Sequence, residues 1–289
     1  MESFAENGDK RLFFQTALAA GRGDHAMFLA RRWRIALTNV IISLAIPSVN
    51  AESPMPRRTL FLAGDSTMAT QPLIPPTPAR GWGQMLQPYF SENIRVENHA
   101  ASGHSTKSFR DSSRWQRILD RMQPGDFVLI QFGHNDSKPD TERHTEPFGT
   151  YRENLARFVR EVRECQATPL LATSVVRNVF NADGTLRDTH GDYVVATKQV
   201  GNELQVTLLD LNQKTGQLLT KLGTEKSKRF FNNVEPGEYE KYPAGFKDGT
   251  HYNTVGASRT CDLAIEEILA KVPALAGEVN LVGKKAPAR

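Results

Sequence analysis

The sequence predicts an α/β protein of three layers, a five-stranded parallel sheet covered by helices on both faces. Three observations carry this expectation. Short, wholly apolar runs alternate along the chain with longer segments whose apolar residues recur at helical spacing. Strands that are apolar throughout have no wet face, the pattern of a parallel sheet buried on both sides. Long polar segments follow several of the runs and would crowd one edge of that sheet, where open α/β folds bind ligands.

Strand one, Thr59–Ala63, is too short and too closely bounded by Gly64 for a helix. Arg80–Phe90 spaces Trp82, Met85, Leu86 and Tyr89 as a helix would. Ile94–Asn98 is strand two. Arg114–Met122, with Trp115, Ile118, Leu119 and Met122, reads as a helix closed by Pro124-Gly125. Phe127–Phe132 is strand three. Tyr151–Cys165 is an amphipathic helix through Leu155, Phe158, Val159 and Val162. Pro169–Val176 is strand four, Tyr193–Leu204 a helix, Val206–Leu211 strand five and Asn212–Leu222 a helix. Thr254–Val272 closes the fold as a helix. Asn135–Thr150, Arg177–Gly191 and Gly223–Gly249 are polar loops, two of them directly after strands.

Composition narrows the function. The 289 residues are 39% hydrophobic and 24% charged, ordinary for a globular chain. The net charge of +4 is scattered, without a basic stripe interleaved with aromatics, so nucleic acid is not an expected partner. The two cysteines, Cys165 and Cys261, belong to no metal-spaced cluster, which argues against structural zinc. A disulfide between them would need an oxidising compartment. Each lies on an apolar helical pattern, so two separate buried thiols are expected.

The N-terminal region has the layout of an export signal. Arg31-Arg32-Trp33-Arg34 precede an apolar run from Ile35 to Ile46, followed by Pro47 and Ser48-Val49-Asn50-Ala51. A charged segment, a short apolar segment and small residues at the cleavage positions predict removal after Ala51. Residues 1–51 are therefore expected to be an extension and cleavable signal peptide with its true start at Met27. Residues 52–289 would be one catalytic domain, secreted or periplasmic and without a membrane anchor once cleaved.

Four sites at the ends of predicted elements carry chemistry. Ser66 follows strand one in Gly64-Asp65-Ser66. Gly103 follows strand two, Asn135 follows strand three, and Asp248 and His251 precede the last helix. A serine hydroxyl needs a base to become a nucleophile, and His251 can be that base. Asp248, one turn upstream, can hold the other imidazole nitrogen. The backbone N–H groups of Ser66 and Gly103 and the side-chain amide of Asn135 can receive an oxyanion. Glycine at 103 would let the backbone approach a substrate closely. Each site alone has an ordinary explanation as a turn or a cap; their joint order at strand ends points to hydrolysis of an ester. Asp65 is expected to brace the turn, not to act as the triad acid. No metal or organic cofactor is required. The Gly-x-Ser-x-Gly elbow of α/β-hydrolases is absent around Ser66.

These blocks resemble the SGNH (GDSL-type) hydrolases, over residues 58–272. Within that family, Gly64-Asp65-Ser66-Thr67-Met68-Ala69, Gly81-Trp82-Gly83, Asn98-His99-Ala100-Ala101-Ser102-Gly103, Phe132-Gly133-His134-Asn135-Asp136 and Asp188-Thr189-His190-Gly191-Asp192-Tyr193 are similar to the rhamnogalacturonan acetylesterases. The resemblance implies a flavodoxin-like sheet and a secreted esterase that removes O-acetyl groups from pectin; a monomer is expected. Two departures are His104, where arginine is expected, and Tyr252, where many relatives carry phenylalanine; both bear on substrate contacts. Among residues suggested for sugar binding, Arg177 would meet a galacturonate carboxylate or stand as a solvated loop arginine, and Asn178 shares its edge. Trp82 would stack on a pyranose or, on its helical spacing, pack in the core. His134 would order its loop, contact substrate or pack. Competing functions are an SGNH esterase or lipase, a carbohydrate acetylesterase of other range, and a non-catalytic polysaccharide-binding protein.

Overall fold

The computed structural model describes residues 57–74 and 76–280. The expected export signal and the start at Met27 lie outside the described residues. Five strands form one sheet: β1 (Arg58–Gly64), β2 (Ile94–Asn98), β3 (Phe127–Gln131), β4 (Thr168–Ala172) and β5 (Thr207–Leu209). Their order is β2-β1-β3-β4-β5 and every pair is parallel. The carboxyl ends of all five therefore share one rim, as the fold class requires.

Alternate residues of each strand feed opposite cores. Leu60, Leu62, Leu129 and Leu170 pack beneath α5 (Leu211–Ser227) and α6 (Thr254–Lys271), against Leu219, Cys261, Ile265 and Ile268. Phe61, Val128, Ile130 and Leu171 pack on the other face against Phe109 of α1 (Thr106–Asp111), Trp115 of α2 (Arg114–Leu119), Phe158 of α3 (Arg152–Glu164) and Val200 of α4 (Asp192–Glu203). A short α7 (Pro273–Ala276) packs against the first core through Leu275. Both faces being dry explains why the strand sequences show no polar alternation. Among the described residues no helix is long and apolar enough to cross a membrane.

Several expectations are corrected. The helix over Arg80–Phe90 is instead two 3-10 turns, Trp82–Met85 and Gln87–Tyr89. Pro88 lacks an N–H and discourages α geometry at Gln87, so the run cannot continue as an α-helix. Helix α1 was not anticipated. Its capping box uses Ser105 and Ser108, each hydroxyl accepting from the other's amide, with serine where a glutamate or glutamine is the recognisable signal. Strand β4 stops at Ala172, short of Val176, because its neighbours end there: β3 at Gln131 and β5 at Leu209. Helix α5 runs beyond Leu222 to Ser227, with Gly223 at φ 71° forming the kink. Both cysteines are free, Cys261 buried but Cys165 only half-buried.

Candidate active site

The chain turns sharply after β1. Asp65 accepts the amide N–H of Thr67 at 2.9 Å and its hydroxyl at 2.8 Å through Oδ1. The turn thus presents Ser66 at the rim. A buried chain braces this turn from below: the Gln131 amide donates to Thr67 Oγ1 at 2.9 Å, and the indole of Trp82 donates to Gln131 Oε1 at 2.9 Å. Burial pushes the Asp65 carboxyl up to about 6 against the opposing pull of the Thr67 hydrogen bonds.

Across the rim, the segment before α6 supplies the base. The Ser66 hydroxyl lies 2.9 Å from His251 Nε2, and His251 Nδ1 lies 2.6 Å from Asp248 Oδ2. A carboxylate only accepts, so Nδ1 carries the proton and Nε2 is the acceptor that faces Ser66. Asp248 Oδ1 meanwhile accepts the amides of Thr250 at 2.7 Å and His251 at 3.1 Å. Asn233 Oδ1 accepts the Asp248 amide at 3.2 Å, and the Asn178 amide donates to Gly249 O at 2.7 Å, which pins the loop from both sides. The hydrogen bond to Asp248 raises the His251 imidazole above its ordinary value, against burial. Burial pushes Asp248 up, but its bonds to His251 and to the two amides outweigh it and hold the carboxyl below the usual range.

The third group of donors sits at the ends of β2 and β3. Among the described residues neither the Ser66 nor the Gly103 N–H has a hydrogen-bond partner. Gly103 adopts φ 79°, and a Cβ there would meet nothing within 4 Å. The left-handed backbone therefore calls for glycine here, and no protein atom fills the space beside it. Asn135 is buried and donates one amide hydrogen to His104 O at 3.0 Å, and its second amide hydrogen has no partner among the described residues. Asp136, whose role the sequence did not reveal, ties this cluster together. It accepts the N–H and hydroxyl of Thr106 at 3.0 and 2.6 Å, the Thr145 hydroxyl at 3.0 Å and the Gly133 amide at 3.1 Å. One carboxylate so joins the loop after β3 to the start of α1. Gly133 is at φ 132°, where a Cβ would lie 2.3 Å from Ser174 Oγ.

The residues suggested for sugar contact are placed differently. Trp82 is fully buried, so its ring offers no face to a sugar. His134 is 2% exposed and meets His190 at 3.1 Å, so it packs and orders the loop. Burial drives both imidazoles down, His190 to about 3, so this is a neutral pair. Arg177 is half-buried and spends its guanidinium on Thr189 O and His134 O, each at 3.1 Å. Asn178 accepts the Ser227 hydroxyl at 2.7 Å and serves the loop. Of the two departures noted above, Tyr252 is buried against Phe231, and His104 bonds Ser102 O at 3.0 Å. Ser66, Asp248 and His251 instead open onto a cleft of about 300 Å³ that also takes in Arg80, Lys241 and Tyr242. Nothing in the spacing of these last three marks them; they reach the cleft through loops. Among the described residues no three His, Cys, Asp or Glu side chains gather to hold a metal ion.

A hydroxyl, an oriented imidazole and free amide donors on one rim can perform acyl transfer to serine. The GDSL-like Lipase/Acylhydrolase family matches residues 62–259, and the chain belongs to that family. It is a carboxylic ester hydrolase. It is 42% identical over 211 residues to the rhamnogalacturonan acetylesterase RhgT of Bacillus subtilis, covering 72% of this chain and 88% of that protein. It is 38% identical over 210 residues to the probable rhamnogalacturonan acetylesterase YesY of the same organism, covering 72% and 91%. The crystal structure of YxiM from Bacillus subtilis superposes with a TM-score of 0.63 at 26% identity, covering 75% of this chain and 57% of that one.

Proposed function

We propose that this chain is an exported serine esterase that removes O-acetyl groups from the pectic polysaccharide rhamnogalacturonan through an acetyl-enzyme. The observation that carries the reading is the continuous line Ser66 Oγ to His251 Nε2 at 2.9 Å and His251 Nδ1 to Asp248 Oδ2 at 2.6 Å. Ser66 Oγ attacks the acetyl carbonyl carbon as Nε2 takes its proton. The oxygen that becomes negative is met by the amides of Ser66, Gly103 and Asn135. Collapse breaks the bond to the sugar oxygen, which receives the proton from His251 and leaves as an alcohol. Water, losing a proton to the same Nε2, attacks the acetyl group, and acetate departs as Ser66 Oγ is reprotonated.

The names of RhgT and YesY support the acetyl group and the polymer. Export rests on the layout of residues 31–51. Secreted protein should begin at Glu52; an intact N-terminus would contradict it. The substrate is tested by acetate release across acetylated pectins, acetylated xylan and model esters of increasing acyl length, with Ser66→Ala as control. Preference for the pectic polymers and for acetyl over longer acyl groups is expected. Preference for xylan or for long-chain esters would overturn the substrate assignment.

A further inference from the structure

We propose that Lys241 and Arg80 form a carboxylate-reading subsite beside Ser66, which selects a uronate unit in the polymer next to the acetylated position. The inference rests on the pectic reading given above and deepens it.

Four observations support it. First, both cations line the cleft that holds Ser66 and His251. Second, among the described residues neither forms a salt bridge, whereas many other arginines and lysines do. Arg80 spends one nitrogen on the carbonyls of Thr77 and Ala79, at 2.8 and 2.5 Å, which holds the guanidinium in place, and among the described residues its remaining side-chain N–H groups have no partner. Third, among the described residues Asp248 is the only carboxylate lining the cleft, and it is already committed to His251. Among the described residues that line the cleft, the cations therefore outnumber the carboxylates, an arrangement suited to an anionic ligand.

Fourth, a sugar platform adjoins these charges. Tyr242 and Phe246 stack with ring centroids 4.8 Å apart and planes 12° from parallel, and both line the cleft. The Lys241 ammonium lies 5.4 Å from the Tyr242 ring centroid. Phe246 is 39% exposed, so part of its ring stays open on the cleft. The loop that carries them is fixed, because Val234 and Phe246 exchange backbone hydrogen bonds at 2.7 and 2.8 Å. An aromatic face with Lys241 beside it and Arg80 in the same cleft matches a pyranose that bears a carboxylate. Arg177, whose place after β4 offered either a carboxylate reader or a solvated loop arginine, donates to two carbonyls and does not line this cleft.

The test compares acetate release from acetylated rhamnogalacturonan with release from the same polymer after its carboxylates are methyl-esterified. Acetate is the readout, so the new esters do not count. For the wild-type enzyme kcat/KM on the free-acid polymer should exceed that on the esterified polymer by ~10-fold, the size of a charge-assisted hydrogen bond. In the doubly substituted Arg80→Gln, Lys241→Gln enzyme this ratio should fall towards one, mainly through KM, and Lys241→Arg should retain it. Because both polymers meet the same protein, a partly folded variant does not distort the ratio. A wild-type ratio near one, or a wild-type ratio kept in the double variant, would overturn the proposal. An enzyme that deacetylates xylan but neither pectic polymer would instead overturn the pectic reading, and this subsite with it.

Discussion

The indole N–H of Trp82 donates to Gln131 Oε1 across 2.9 Å in a region with no solvent access. From Gln131 the chain of hydrogen bonds passes to Thr67 and then to Asp65, flanking Ser66. The nucleophile's turn thus hangs from a buried tryptophan in another part of the sequence. Trp82→Phe keeps most of the packing but leaves a buried amide oxygen unpartnered, which costs about 1–3 kcal/mol. Chemical denaturation should show that loss, and Gln131→Leu in the Trp82→Phe background should recover part of it. Equal stability of Trp82→Phe and wild type would mean that the bond contributes nothing.

The pH profile should follow from the His251–Asp248 pair. His251 must be neutral to accept the Ser66 proton, and its bond to Asp248 raises its pKa above 6.5. Activity should therefore fall on the acid side with a midpoint above 6.5. Asp248→Asn removes the cause of the rise while burial remains, so the midpoint should move down. The rate should drop on the order of a thousand- to ten-thousandfold, because the wrong tautomer then faces Ser66. A profile of kcat/KM that keeps its acid limb in Asp248→Asn would assign the titration to another group.

Asn135→Ala removes one proposed oxyanion donor without touching the hydroxyl or the imidazole. The loss in kcat should be on the order of a hundred- to a thousandfold, with KM changed far less. The same substitution also breaks the bond to His104 O, so thermal unfolding of the variant should be measured beside the kinetics. A variant with unchanged kcat would remove Asn135 from the oxyanion site.

Asp65 has a pKa raised by burial to about 6, and its Oδ2 has no hydrogen-bond partner among the described residues. A raised folded-state pKa stabilises the fold below the unfolded value near 3.8 and loses that contribution as pH climbs through about 6. Asp65→Asn can still accept from Thr67 but cannot ionise. Its stability relative to wild type should therefore improve between pH 4 and 7, by up to about 3 kcal/mol. The Asp65 charge also helps to raise the His251 pKa, so the acid limb of activity should shift down in the same variant. A stability difference that does not vary with pH would show that Asp65 titrates as an ordinary carboxylate.

The sheet was legible because its five apolar runs need burial on both faces, and their order places Ser66, Gly103 and Asn135 on one rim. Asp248 and His251 could be paired from their spacing, since a separation of three residues before a helix brings the carboxylate under the imidazole. The groups that hold this arrangement were harder to see. Gln131 lies at the end of an apolar strand, where one polar residue looks like an accident of composition. Trp82 was ambiguous because stacking and packing use the same aromatic surface, and only burial separates them. Asp136 gathers donors from Thr106 and Thr145, partners that no local pattern links to it. The cleft's cations come from loops, whose path depends on tertiary contacts and leaves no periodic trace.

The most direct test of the account is covalent. An organophosphonate ester should react once per chain, and peptide mass spectrometry should place the adduct on Ser66, with activity lost in proportion. Ser66→Ala should take up no label and release no acetate. Labelling at another residue, or full turnover by Ser66→Ala, would contradict a serine mechanism at this rim.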